Sequence, residues 1–246
     1  MTWRIWVAYL LEIRHETTER DEQHAYDTLY FERGIRQRDS FYLWFLEQVP
    51  HRGGGRLLDV SCGEGVFLGV ARRAGLEAVG VDFSLVAVRK ARLVSSQAAL
   101  ANAQRLPFAD NSFDYVTNIG SLEHYFDPVE GAREMARVLR RDGVAIILLP
   151  NAFGIFGNIW HVLRYGEIFD DGQPLQRYAT RASWERLLRA NGLVPNRVIP
   201  YEREAPRTAR DLLWLLRRPW KIGRLLVAPF VPVNLSNILV FVCHKA

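Results

Sequence analysis

The sequence predicts an α/β protein built on a mostly parallel sheet with helices on both faces. Three observations carry this. From residue 56 onward, short apolar runs alternate with helix-length amphipathic stretches. The first run, LLDVSCGEG (57–65), ends in an acid and a glycine-spaced turn, as a strand handing over to a helix does. The run at 144–149, VAIILL, is apolar throughout, as a strand covered on both faces must be.

The elements follow in order. Residues 16–50 are polar and charged, then aromatic at helical spacing (Tyr26, Tyr30, Phe31, then Phe41, Trp44, Phe45). They read as one or two helices, an N-terminal helical cap over residues 1–50. At its start, the apolar run 5–11 is closed by Glu12, lacks a small-residue cleavage site and is too short to span a bilayer. It reads as a surface or packing helix. The glycine loop at 51–55 then opens the main domain. Strands are expected at 57–60, 78–81, 98–101 (a weak one), 115–119 and 144–149. Helices are expected at 66–74, stopped by Gly75, at 85–94, capped by Ser84, and at 128–140. After Pro150-Asn151 the rhythm breaks into an aromatic, glycine-spaced segment, 152–176. A helix at 181–190 follows, between its cap Thr180 and its stop Asn191-Gly192. Strands at 193–201 and 238–243 close the chain.

Composition narrows the class. With 246 residues, 49% hydrophobic and 24% charged, the chain suits one large soluble domain. Its two cysteines, Cys62 and Cys243, make neither a disulfide framework nor a zinc cluster, so a reducing, cytoplasmic setting is the expectation. The formal charge is +5. Residues 203–224 hold seven basic side chains against two acidic ones, a local surplus equal to that of the whole chain.

The turn at 61–65 lets a ligand approach bare backbone, and the following helix presents unpaired N–H groups to an anion. Asp82, at the end of the next strand, is placed to accept hydrogen bonds from ribose hydroxyls. A dinucleotide fingerprint needs a third glycine at 68, where Leu68 stands, and no Gly-Lys-Ser/Thr follows. A ribose-bearing ligand fits, and the phosphate-binding readings lose ground.

Several motifs in register then add a family. LLDVSCGEG, VGVDFS, ANAQRLPFADNSFD, NIGSLEHYFDP and RVLRRDGVAIILLPN together resemble the class I S-adenosylmethionine (SAM)-dependent methyltransferases, in the broad subgroup labelled type 11. The resemblance covers about residues 56–151. It implies a Rossmann-like, seven-stranded, mostly parallel sheet with an antiparallel last strand. It also implies a SAM-binding domain over 51–246 with a substrate-covering insertion at about 152–178.

The resemblance also implies roles. Asp59, Ser61, Gly63 and Gly65 would form the turn around the methionine part of SAM. Asp82 would hold the ribose and Phe83 would lie against the adenine. Asn102 would receive the adenine amino group and Ala103 would offer its N–H to the ring. The backbone at Asn118 and Ile119 would meet the SAM amino group. Two positions depart from the pattern: Ser61 replaces a usual glycine, and Asn102 replaces a usual Asp.

His124, past the fourth strand, is a candidate general base, and a helix brace is the alternative. Glu123-His124 also resembles the metal ligands of ubiquinone-pathway O-methyltransferases. Gly120 stands at the first Glu position, so no metal is expected. His161 is a second catalytic candidate. Tyr30, Trp160, His161 and Tyr178 are candidates for lining the acceptor pocket, against the alternative of plain packing. Tyr26 and Tyr30 together suit a lid over the cofactor. Residues 208–231 mix arginines with Leu and Trp. They read either as an interfacial segment for anionic lipid or as an amphipathic helix packed on the sheet with a solvated basic face, with the second favoured. Taken together, a small-molecule acceptor is expected, a lipid- or glycan-linked one among the options, with SAM as donor and S-adenosylhomocysteine as product. The alternatives are a SAM-binding partner subunit without chemistry and an RNA methyltransferase. No appended RNA-binding module supports the latter.

Overall fold

The computed structural model describes residues 10–15 and 18–246. The chain enters as a short strand, β1 (Leu11–Arg14), followed by helices α1 (Glu19–Glu32) and α2 (Asp39–Leu46). Residues 1–9, where a surface or packing helix is expected, lie outside the described residues. Where that run ends, at Leu11, the chain is strand and not helix. Then come β2 (Arg56–Val60), α3 (Val66–Arg73), β3 (Glu77–Asp82), α4 (Leu85–Val94), β4 (Ala98–Leu100), β5 (Phe113–Ile119), α5 (Pro128–Val138) and β6 (Leu139–Pro150). The second half adds α6 (Trp160–Tyr165), β7 (Leu175–Tyr178), α7 (Arg181–Ala190), β8 (Leu193–Tyr201), α8 (Ala209–Leu216), α9 (Pro219–Val227) and β9 (Ile238–Lys245).

Seven strands form the central sheet in the order β4-β3-β2-β5-β6-β9-β8. All are parallel except β9, which runs antiparallel to both β6 and β8. The order reverses at β2, whose neighbours are β3 on one side and β5 on the other. In an open α/β sheet the crevice beyond the strands' carboxyl ends at such a switch point is where ligands bind. β6 starts at Leu139, earlier than expected, because Leu139 pairs with Phe113 and so ends α5 at Val138.

Local chemistry sets the helix starts. Side chains of Thr18, Ser84, Asp127, Thr180 and Thr208 accept from backbone N–H groups of the first turns of α1, α4, α5, α7 and α8. Pro128 then sits in the first turn of α5, where its missing N–H costs nothing. The core has two halves, one on each face of the sheet. α5 and α7 cover one face with Met135, Trp184 and Leu187, and α2, α3 and α4 cover the other with Phe45, Phe67 and Ala91.

The insertion after β6 makes a small sheet of its own. β7 pairs antiparallel with β1, so Arg177 faces Glu12 across the ladder. The two residues are 2.8 Å apart. Among the described residues no helix is long and apolar enough to cross a membrane.

Trp184 is fully buried and its indole N–H donates to the Pro150 carbonyl at 2.8 Å. It therefore ties α7 to the end of β6. Trp184→Ala is expected to cost about 3–5 kcal/mol in urea unfolding, through lost burial plus a carbonyl without its donor.

Candidate active site

A cavity of about 450 Å³ lies at the carboxyl ends of the parallel strands. One wall is the turn after β2. Gly63 has φ +53°, and a Cβ there would meet the Tyr30 hydroxyl at 3.0 Å, so both the backbone and the tyrosine favour glycine. Gly65 has φ +75°, and its Cβ would strike the backbone of Ala91 at 3.0 Å. Gly65 is not part of the cavity wall; it lets α4 lie against the turn.

Ser61 is left-handed as well, at φ +63°. A non-glycine residue there carries about 1–2 kcal/mol of backbone strain. Its hydroxyl bonds to Tyr125 Oη at 2.8 Å. Asn118 Nδ2 donates to the same Tyr125 oxygen at 2.7 Å and to the Val60 carbonyl at 3.1 Å, while Asn118 Oδ1 accepts from Leu122 N–H at 2.9 Å. The serine thus joins a buried knot tying β2, β5 and the 122–125 turn together. Asn118 is wholly buried inside that knot and does not line the cavity, whereas Ile119 does.

Asp82 closes the turn. Its Oδ2 accepts from Gly63 N–H at 2.8 Å and its Oδ1 from Ser84 N–H at 2.9 Å. Each oxygen keeps a lone pair, and the residue lines the cavity. Asp59, also lining, accepts from Thr117 Oγ1 at 2.8 Å. Burial raises Asp59 to about 7 against the Thr117 hydrogen bond, and Asp82 to about 6 against its backbone donors. Phe83, Asn102 and Ala103 continue the wall. Asn102 Oδ1 already accepts from the backbone and side chain of Gln104, at 2.8 and 3.2 Å. Both its lone pairs are thus used within its own loop.

Helix α1 forms the roof. Tyr26 and Tyr30 line the cavity, and burial pushes both hydroxyls well above their ordinary range. Gln23 Nε2 donates to the Phe83 carbonyl at 2.9 Å, Asp27 accepts from Ser84 Oγ and Val86 N–H, and Lys90 donates to the Tyr30 carbonyl. These bonds fix α1 to the start of α4.

The opposite wall comes from the 122–125 turn and the insertion. Glu123, His124, Gln173, Gln176 and Tyr178 all line it, and Tyr26 Oη donates to Gln173 Oε1 at 3.3 Å. His124 is buried and its Nδ1 donates to the Leu175 carbonyl, which leaves the lone pair on Nε2. Burial holds His124 below its ordinary value, so it is neutral near pH 7. Burial raises Glu123 to about 8. Glu123 Oε1 stands 3.8 Å from His124 Nε2, beyond a hydrogen bond, so the two form a neutral acid beside a neutral base. Glu123 Oε2 and Gln176 Oε1 are buried without a partner. Buried polar atoms normally have one, so this wall suits a polar ligand. Arg177 holds the turn in place: its guanidinium is buried and donates to the carbonyls of Glu123, Tyr125 and Phe126.

Trp160 and His161 stand apart from this cavity. Trp160 is 58% exposed, and His161 packs on Tyr165 and Phe169. α6 buries none of its residues, so the aromatic spacing there reflects an outer face. Gln173, Gln176, Asp171 and Tyr201 line the cavity with no local sequence signal to announce them. Residues 208–231 do not pack as one amphipathic helix on the sheet. They form two helices, of which α8 buries Asp211 and Leu215 and α9 buries nothing.

The donor set suits SAM. Two acids, backbone N–H groups and aromatic faces surround the turn. Among the described residues the lining has one guanidinium, that of Arg36. That is a cradle for ribose and cationic sulfur rather than for a pyrophosphate. The profile of a methyltransferase-domain family matches residues 58–147. The ubiquinone/menaquinone biosynthesis C-methyltransferase UbiE of Geotalea uraniireducens is 39% identical over 114 residues, 42% of this chain and 48% of its own. Residues 58–147 are thus a methyltransferase domain by sequence. A SAM-dependent methyltransferase from Mesorhizobium loti shares the fold with TM-score 0.61 at 16% identity, over 84% of this chain and 98% of its own. The [4+2]-cyclase SpnF does so with TM-score 0.63 at 22% identity, over 95% and 98%. One methyltransferase fold therefore carries different named activities, and the acceptor has to be argued from the cavity. The chain spans about half the length of the curated relatives it matches.

Two expected outcomes concern the turn and the buried acids. Ser61→Ala keeps the strain and loses the Tyr125 bond, so it should cost about 1 kcal/mol. Ser61→Gly loses the bond but also the strain, and should stay within about 0.5 kcal/mol of the parent in urea unfolding. The second outcome concerns pH. Asp59, Asp82 and Glu123 are raised above their unfolded values near 4. Their contribution is full below about pH 4 and is lost as pH rises through about 6 to 8. The unfolding temperature of the ligand-free protein should fall between about pH 5.5 and pH 8.5, less steeply in Asp59→Asn. A flat profile, or an unchanged slope in the variant, would contradict the burial of these acids.

Proposed function

We propose that this methyltransferase transfers a methyl group from SAM to a small molecule that gives up a proton, of the phenol or enol class, with His124 as the general base. The observation that carries the reading is the His124 tautomer. The Leu175 carbonyl fixes the proton on Nδ1, so Nε2 is free to take one in the same cavity as the turn after β2.

When bound, SAM supplies an electrophilic methyl group on a sulfonium. Asp82 would hold its ribose hydroxyls, Phe83 and Ala103 its adenine, and Asp59, Ser61, Gly63 and the Ile119 backbone its methionine part. Tyr26 and Tyr30 cover that half and exclude water. The acceptor would occupy the half bounded by Glu123, His124, Gln176 and Tyr178. There His124 Nε2 takes the acceptor's proton, and Glu123, kept protonated by burial, donates a hydrogen bond to an acceptor oxygen. Holding the acceptor in line with the methyl group supplies much of the rate. The name of the UbiE relative, a C-methyltransferase of quinone biosynthesis, supports an aromatic ring acceptor.

Calorimetry with SAM tests the cofactor half. The parent should bind and Asp82→Ala should lose on the order of 100-fold in affinity, given two charge-assisted hydrogen bonds. A correctly folded parent without SAM binding would sink the reading. In turnover with a quinol lacking a ring methyl, His124→Gln should lower kcat by about 10²–10⁴-fold and leave SAM affinity intact. An unchanged kcat would remove His124 as the base.

A further inference from the structure

A second cavity of about 450 Å³ lies between residues 36–39, residues 201–204 and the α8–α9 pair. Its walls are rich in unmatched positive charge. Asp211 accepts from Ser40 N–H at 2.9 Å and Ser40 Oγ at 2.6 Å, and it pairs with Arg38 at 3.2 Å. Glu204 accepts from the Tyr201 hydroxyl, and Asp39 pairs with Arg36 at 3.0 Å. The three acids in the wall are thus engaged. Arg203, Arg210 and Lys221 also line it, and among the described residues none of the three has an acid within ion-pair distance.

Two further observations point to a missing anion. The Trp214 ring, also in the wall, is surrounded by four cations. Arg38 lies 3.5 Å, Arg218 4.6 Å, Lys221 5.0 Å and Arg203 5.4 Å from its centre. The ring's negative face attracts each of them, and among the described residues only Arg38 of the four has an acid within ion-pair distance, Asp211. In addition, Nε of Arg203 is buried and donates to nothing. Leaving a charged group's donor unmatched in the interior is costly, so this atom calls for an acceptor. Burial and the guanidinium groups of Arg203, Arg224, Arg218 and Arg38 also hold the Lys221 ammonium below its ordinary range.

We propose that this cavity binds a phosphate or diphosphate ester, and that the ester is the charged end of the methyl acceptor. Guanidinium forks match phosphate oxygens in pairs, and five cations against three acids in the wall leave a positive surplus that a phosphate ester offsets. Arg36, Gln37 and Tyr201 line both cavities, so the two adjoin, and an ester seated in the anion site would extend toward the first cavity. The anion site stands on its own observations, and its link to the acceptor rests on the methyltransferase reading. Leu212, Leu213, Leu216 and Trp220 lie exposed on the same helices. They give an apolar tail of the ester somewhere to lie, whether the ester is soluble or held in a lipid surface.

The test is calorimetry of the full chain with inorganic pyrophosphate, with S-adenosylhomocysteine titrated separately. The parent should bind pyrophosphate at one saturable site. The Arg203→Gln, Lys221→Gln double variant should lose on the order of 100-fold, and Arg203→Lys, which keeps the charge but loses the fork, should fall between it and the parent. All should bind S-adenosylhomocysteine alike and unfold at the parent's temperature. Should the double variant fail to fold, Arg210→Gln, on the exposed face of α8, should lose about tenfold. Sedimentation with phosphatidylcholine vesicles, with and without phosphatidic acid, separates the sources. Retention by the acidic vesicles that pyrophosphate reverses supports a lipid-borne ester. Pyrophosphate binding without retention supports a soluble one. No pyrophosphate binding by the parent, or equal binding by the variants, overturns the site. Intact S-adenosylhomocysteine binding in that case leaves the methyltransferase reading standing.

Discussion

The left-handed turn at residues 61–65 depends on being held from two sides, and the rest of the site depends on that turn. Asp82 grips it through Gly63 N–H, and Tyr125 grips it through Ser61 Oγ. The first bond joins the ends of β2 and β3. The second joins β2 to the turn after β5, through an oxygen that Asn118 shares. The strain of a serine at φ +63° is therefore set against a buried hydrogen bond, and its place in a glycine position has a physical reason. The turn after β2 and the turn that presents Glu123 and His124 are one connected unit. A change at Tyr125 would reach both halves at once.

The second constraint is electrostatic. Three carboxyl groups, Asp59, Asp82 and Glu123, face one cavity and are held above their ordinary range by burial. Their cost to the empty protein is what makes the cavity receptive to a ligand that carries positive charge and hydroxyl donors. The opposite sign rules next door, where Arg203, Arg210 and Lys221 lack acidic partners. An acid-lined cavity and a cation-rich one thus adjoin, with Arg36, Gln37 and Tyr201 common to both walls.

Much of this was legible in the sequence where the information is local. The turn after β2, the acid at the end of β3, the parallel character of the sheet and the caps Ser84 and Thr180 follow from adjacent residues and their spacing. What was not legible depends on contacts between distant segments. β1 pairs with β7 across more than half the chain, and no property of LEIR by itself calls for that partner. Gln173 and Gln176 reach the cavity only because the insertion folds back. Trp160 and His161 have the right composition for a pocket, yet α6 turns its residues outward, and aromatic spacing alone does not tell an inner face from an outer one. Arg203 to Arg224 gave a charge surplus in the sequence, and only the fold gathers part of it around Trp214.

A structure of the protein with S-adenosylhomocysteine tests the central claim most directly. The account predicts both ribose hydroxyls within hydrogen-bond reach of Asp82, and the sulfur facing the space bounded by Glu123, His124 and Tyr178. A ribose held by another carboxylate, or a sulfur turned away from His124, would contradict it.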